Sequence, residues 1–297
     1  MKFLKKHLVT ILLVLVFIIG LCLLLYPTVS DYWNSFHQSR AIASYAETVA
    51  NLDDDTYEQM LAEAQAYNEA LAARGTHWSL SDEELQEYND TLDITGTGIM
   101  GYIEIEKIGC SLPIYHGTDE GVLQIAIGHI EGSSLPVATT SSHIVLSGHR
   151  GLPSAKLFTD LDELVEGDEF VIRVLDETYT YEVDQIRIVL PNELNDLAIE
   201  EGKQYCTLVT CTPYGINTHR LLVRGHLVDD SVAAQSIRVT ADAIQLEKTM
   251  VAPFVAVPLL ILLLILWIIF SARRKRYRRL LARMDAEKND PIEITEK

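Results

Sequence analysis

The sequence is poor in cysteine and, between two apolar ends, poor in positive charge. Its 297 residues hold four cysteines, Cys22, Cys110, Cys206 and Cys211. Cys22 lies in an apolar run, and the odd set that remains cannot close into a disulfide framework. A Cys110–Cys206 bridge is open to the chain, yet one thiol then stays free, and extracytoplasmic proteins tend to lose idle thiols. Residues 27–251 carry 12 basic and 37 acidic side chains. That balance argues against a nucleic-acid binder, which needs a basic face, and fits an acidic, solvated domain. Internal repeats and low-complexity tracts are absent. The acidic triplet Asp53-Asp54-Asp55 lacks the ligand spacing of a calcium loop, and neither metal nor cofactor is expected.

Long apolar runs are present, and there are two. Leu8 to Tyr26 and Met250 to Ser271 are uncharged and long enough to cross a hydrocarbon core of about 30 Å as helices. No small-x-small cleavage site follows Tyr26, so the first reads as an uncleaved anchor rather than a signal peptide. Lys2, Lys5 and Lys6 precede it, and residues 271–297 hold nine basic against five acidic side chains. By the positive-inside rule both termini are then cytoplasmic, and the domain between the spans faces outward. The expected plan is a cytoplasmic N-terminus over 1–7, an anchor over 8–26 and a helical extension over 27–95. A β domain over 96–249, a second span over 250–271 and a basic cytoplasmic tail over 272–297 follow.

Within the extension, Val29 to Asn51 has apolar residues at helical spacing. The aspartate triplet caps a second helix, Thr56 to Ala73, which Gly75 stops. Ser81-Asp82-Glu83-Glu84 is a capping box that opens a third helix ending near Asn89. Between the last two lies Thr76-His77-Trp78, a turn-rich connection with one large aromatic. From Gly96 the period changes. Short β-rich runs recur at 101–108, 112–115, 143–146, 169–175, 178–190, 205–211 and 220–228, divided by Gly, Pro, Asp and Asn. Many short strands with few helices among them point to a closed barrel or a sandwich. Val232 to Leu246 reads as a strand and a helix leading back to the membrane.

Thr207 to Arg220 concentrates the chemistry. A β-branched run meets Cys211 and breaks at Pro213 and Gly215, which sets a thiol at a strand end, and Arg220 opens the next apolar run. Two adjacent antiparallel strands would bring thiol and cation side by side. A buried structural cysteine and an activated nucleophile are both open at this point. A nucleophilic thiol needs a base nearby, and among nine histidines His149 stands out in Ser147-Gly148-His149-Arg150-Gly151, exposed at a strand end by glycine-flanked turn chemistry. His143 reads as packing, and His116 and His129, in glycine-rich turns, as structural hydrogen bonders. Arg220, planar and permanently charged, suits a developing oxyanion. Arg150 and Arg224 read as charges that balance an acidic surface.

Thr207-Leu208-Val209-Thr210-Cys211 with Arg220, and Gly148-His149-Arg150-Gly151 upstream, resemble the active-site signature of sortases, membrane-anchored cysteine transpeptidases of Gram-positive surfaces. Met100-Gly101-Tyr102-Ile103, Leu112-Pro113-Ile114-Tyr115-His116-Gly117 and Cys211-Thr212-Pro213-Tyr214-Gly215 narrow the resemblance to the pilin-polymerising group, class C. So do the helical extension and the second span. The resemblance implies a closed eight-stranded β-barrel and a thioacyl mechanism. In it Cys211 attacks the Thr–Gly bond of an LPXTG-like signal, His149 moves the proton and Arg220 holds the carbonyl. The implied acceptor is a pilin lysine, and no nucleotide is needed because the thioester conserves the energy of the cleaved amide. Trp78 and Thr210 are the candidates for lid or substrate contact. One departure is plain: the group's Asp-Pro-aromatic lid is represented by Thr76-His77-Trp78, without the acid or the proline. Two other readings stand beside this one, a housekeeping sortase that uses wall-peptide amines and a non-catalytic scaffold that keeps the barrel.

Overall fold

The computed structural model describes residues 2–228 together with Arg273. The expected elements over 232–246, the second span at 250–271 and the remainder of the basic tail therefore lie outside the described residues. Among the described residues, the chain divides into two compact units between Leu25 and Tyr26. Helix α1 (Lys2–Ala50) holds the single stretch, among the described residues, long and apolar enough to cross a membrane.

Pro27 was expected to separate an anchor from a second helix, but it lies inside α1. Proline takes one donor out of the backbone ladder. The helix continues because the residues beyond it are fastened to their own unit. Asn34 Nδ2 donates to Ser154 O at 2.7 Å and Gln38 Nε2 to Ile125 O at 2.6 Å, while Lys156 N donates to Asp31 Oδ1 at 2.8 Å. Further along, the buried Tyr45 hydroxyl donates to Met100 O at 3.0 Å and accepts from Leu175 N at 2.8 Å.

Helix α2 (Asp54–Arg74) starts at Asp53, whose side chain accepts from Thr56 N, and stops at Gly75 with φ +84°. Helix α3 (Asp82–Asp90) opens with the capping box formed by Ser81 and Glu84. Both begin where their local chemistry predicts. Tyr67, Leu71, Tyr88 and Leu92 belong to the main core cluster, so the helical extension shares its core with the β domain. Asn68, fully buried, seals the junction: its amide donates to the carbonyls of Leu135 and Val137 and accepts from Leu135 N.

Eight strands follow, β1 (Ile99–Ile105), β2 (Cys110–His116), β3 (Ile127–His129), β4 (Ser142–Ser147), β5 (Glu169–Val174), β6 (Glu177–Val189), β7 (Gln204–Thr212) and β8 (His219–Leu227). A four-residue helix, α4 (Glu120–Leu123), precedes β3. The strands close into a barrel in the order β1-β2-β3-β4-β7-β8-β6-β5, as expected. Most neighbours are antiparallel, whereas β2 with β3 and β4 with β7 run parallel. The strand missed by periodicity is β3, whose three residues are too few to display an alternation.

Alternate residues sort to two faces, as strand geometry requires. Ile144, Leu146, Cys206, Leu208, Leu221 and Val223 enter the main core. Val145, Val209 and Leu222, with Val189 and Leu197, form a second cluster against which Trp78 and Ile130 pack. Cys110 and Cys206 are both free, so the bridge open to them does not form. Burial pushes the Cys110 thiol up to about 12 and the Cys206 thiol well above its usual value, so neither supplies a thiolate.

Candidate active site

Strands β7 and β8 bring the two chemical residues of the opening stretch together. Their antiparallel register pairs Cys211 directly with Arg220, Val209 with Leu222 and Thr210 with Leu221. Directly opposed residues share a face with Cβ atoms about 5 Å apart. Cys211 and Arg220 therefore continue the face of Val209 and Leu222, turned away from the main core, and both are partly exposed. Arg220 Nη1 donates to His219 O at 3.1 Å and to Asn217 O at 3.4 Å. No carboxylate among the described residues lies within ion-pair distance of it, so its charge is not already neutralised by a protein acid.

The third group arrives on β4. The parallel register of β4 and β7 runs from Ser142 opposite Gln204 to Ser147 opposite Val209. It is prolonged past the strand end by Gly148 N, which donates to Val209 O at 3.0 Å, and by the Thr210 hydroxyl, which donates to Gly148 O at 2.7 Å. The register itself ends at Ser147, so what ties this end of β4 to β7 is Gly148, the residue before His149. Thr210 faces inward and is buried, so its hydroxyl locks the end of β4 to β7 rather than lining the outer face. The next loop folds back, with Phe158 N donating to His149 O at 3.1 Å.

Arg150 departs from the surface role expected of it. Its side chain is only 11% exposed. One terminal nitrogen pairs with Asp162, the other donates to Thr212 Oγ1 at 3.4 Å, and the guanidinium lies 5.9 Å from the centroid of the Tyr214 ring. Nothing in the local sequence marks these partners, which lie 12 and 62 positions away. Arg224 is closer to expectation, paired through two nitrogens with Asp184 at 3.0 and 2.9 Å and stacked 4.1 Å above the Tyr205 ring.

Trp78 packs against the cluster of Val145, Val209 and Leu222 that leads along the outer face to Cys211. The connection that carries it is fastened both to the segment before β7 and to α3. Ile199 N donates to Thr76 Oγ1 at 3.1 Å, and His77 Nε2 lies 3.3 Å from Glu84 Oε1. Gly132, at φ +83°, lies so close beneath the His77 carbonyl that a Cβ there would collide with it.

Three other histidines, His129, His143 and His116, have structural surroundings. His129 is fully buried on β3, within hydrogen-bond distance of the Tyr88 hydroxyl at 2.9 Å and Ser134 O at 2.7 Å, and burial drives its pKa down to about 3. His143 lies between Ala198 O and the Thr207 hydroxyl, and burial lowers its pKa as well. His116 contacts the carbonyls of Gly98 and Thr91. Among the described residues no group of three or more His, Cys, Asp or Glu is arranged to hold a metal ion.

The Sortase domain family matches residues 103–228. Sortase C1 from Streptococcus agalactiae aligns at 55% identity with a TM-score of 0.63, covering 64% of this chain and 98% of that one. A sortase C from Streptococcus pneumoniae aligns at 41% identity with a TM-score of 0.58, covering 64% and 97%. A lid mutant of sortase A from Corynebacterium diphtheriae aligns at 40% identity and 0.56, covering 60% and 96%. Sortase D of Bacillus subtilis is 33% identical over 114 residues, which are 38% of this chain and 54% of that relative, so the match spans about half of its length.

Proposed function

The chain belongs to the sortase family of cysteine transpeptidases, within its class C group, and on that premise we propose that it joins pilin subunits through a thioacyl intermediate on Cys211. His149 takes the thiol proton, and the Cys211 sulfur attacks the Thr carbonyl of an LPXTG-like sorting signal. Arg220, opposite Cys211, stabilises the oxyanion of the tetrahedral intermediate. That intermediate collapses with cleavage of the Thr–Gly C–N bond, and His149 passes its proton to the departing glycine amine. A lysine amine of the next pilin then loses a proton to His149 and attacks the thioester. An isopeptide bond forms, and the proton returns to the Cys211 sulfur. Thr210 serves by fixing the β4 end that carries His149.

The observation that carries this reading is the direct pairing of Cys211 with Arg220, with the His149 end of β4 hydrogen-bonded alongside. A pilin as substrate is supported by the pneumococcal relative, which was described for its pilin substrate specificity and is covered over nearly its whole chain by the alignment. We assign Trp78 as a lid residue over the outer groove, a role supported by its packing beside the path to Cys211. The topology proposed with it has spans at 8–26 and 250–271, both termini cytoplasmic and the catalytic domain outside, and is supported in its first span by the apolar start of α1.

Incubating the full-length chain in detergent with an LPXTG peptide and a pilin acceptor tests the reading. Cleavage and a high-mass ladder are expected, with Cys211→Ala abolishing both. Turnover that survives Cys211→Ala would sink the mechanism. Transfer to a wall-peptide amine in place of pilin lysine would move the chain to housekeeping attachment. No thioacyl adduct on Cys211 with a substrate-mimicking trap would leave a scaffold.

A further inference from the structure

Arg150 is held as a surface counter-charge is not. Its Nε is buried with no hydrogen-bond partner among the described residues. An unmet buried donor is costly, more so when charged, so balance of an acidic surface is a poor reason to keep it there. Contacts from two loops converge on this one side chain. Asp162 belongs to the loop that returns after His149, whereas Thr212 and Tyr214 stand one and three residues past Cys211. Its neighbour Gly151 adds a fourth tie. Gly151 has φ +76°, and a Cβ there would lie 2.7 Å from the Tyr214 ring, so that ring is seated on the turn only because the residue is glycine.

His149 has no comparable restraint of its own. Among the described residues its ring makes no side-chain hydrogen bond, so its aim is set by the turn on which it stands. We propose that Arg150 is a positioning residue for acyl transfer, tying the His149 turn to the turn after Cys211 and so holding the proton donor against the scissile amine. The inference rests on the roles assigned above to Cys211 and His149 and names the part that sets their separation. A planar fork reaches Asp162 and Thr212 together, whereas the ammonium of lysine is a single point charge and does not.

The chemistry supplies a readout that general damage does not share. Release of an amine from the Thr–Gly amide needs the proton held by His149. Release of a thiolate from the same peptide with a thioester at that bond needs no such proton, so there His149 serves only to take the thiol proton. The full-length chain in detergent is therefore assayed with both peptides, following leaving-group release, for wild type, Arg150→Lys, Arg150→Met and His149→Ala. Both Arg150 variants are expected to slow amide cleavage about 10–100-fold, the scale of an ångström-sized misplacement, and to slow thioester cleavage distinctly less. His149→Ala is expected to slow both peptides, the amide more deeply. Asp162→Asn, which keeps Arg150 but removes the charge that holds it, is expected to give a smaller split of the same sign. Equal loss on both peptides in the Arg150 variants, or no loss on either, overturns the positioning role while a split in His149→Ala leaves the mechanism standing. No loss on the amide in His149→Ala overturns both.

Discussion

Gly148 shows at residue scale how narrowly the site is specified. A Cβ there would lie 2.5 Å from Ile127 Cδ1 and 2.7 Å from Phe158 Cδ2, both on buried side chains. Its backbone has no freedom to retreat, because its N–H is bonded to Val209 and its carbonyl to Thr210. Gly148→Ala therefore overpacks the interior and displaces the residue that follows, His149. Overpacking of this kind costs about 1–3 kcal/mol. The variant is expected to lower the unfolding free energy by that amount, and with it the denaturant midpoint, and to lose acyl transfer out of proportion to its loss of fold. Urea unfolding and peptide turnover on the same preparation check both, and an unchanged midpoint with full turnover would refute the steric account. At the same scale, the pairing of Cys211 with Arg220 was legible in sequence, because a β-branched run broken at Pro213 and Gly215 and resumed at Arg220 reads as two adjacent antiparallel strands. Arg150 was not, since its significance resides in Asp162 and Thr212, which only the folded loops bring to it.

At the scale of elements, the connection between α2 and α3 lies against the outer face. Trp78 packs on the Val145, Val209 and Leu222 cluster, and contacts at Thr76, His77 and Gly132 hold the connection there. Trp78→Ala is expected to lower KM for the sorting peptide several-fold and to lower the unfolding midpoint, since a buried aromatic face is lost. A lower midpoint with unchanged KM would leave Trp78 as packing alone. The elements themselves were largely readable from local signals. Asp53 and the Ser81–Glu84 box announced α2 and α3, and seven of the eight strands alternate over enough residues to be seen. The failures have physical causes. Strand β3 is too short to alternate, and α1 passes through Pro27 because contacts far along the chain hold its second half. Closure into eight strands was expected from the family resemblance, but the strand order was not read at all, because the parallel pairing of β4 with β7 joins residues 62 apart and leaves no local mark.

On the scale of the whole molecule, acid acts through two opposing contributions. Residues 27–251 are strongly acidic, so protonating carboxylates relieves self-repulsion, but their titration is centred near pH 4. Buried histidine acts earlier and in the other direction. His129 has a folded pKa of about 3 against about 6.5 unfolded, so between those values the unfolded chain binds a proton that the folded chain does not. Its stabilising contribution is complete above pH 6.5 and is lost as pH falls toward 3. The slope approaches about 1.4 kcal/mol per pH unit once the unfolded histidine is protonated. His143, lowered by burial in the same direction, adds to it. From pH 7 to pH 5 the histidine contribution therefore dominates, and stability is expected to fall by about 2 kcal/mol. Urea midpoints measured at pH 7, 6 and 5 on the full-length chain should decline, and His129→Gln, with no proton to gain, should flatten the decline even where it lowers the midpoint at pH 7. A midpoint that holds level or rises over that range would show that charge relief wins, and that His129 does not titrate between the folded and unfolded chain as its burial requires.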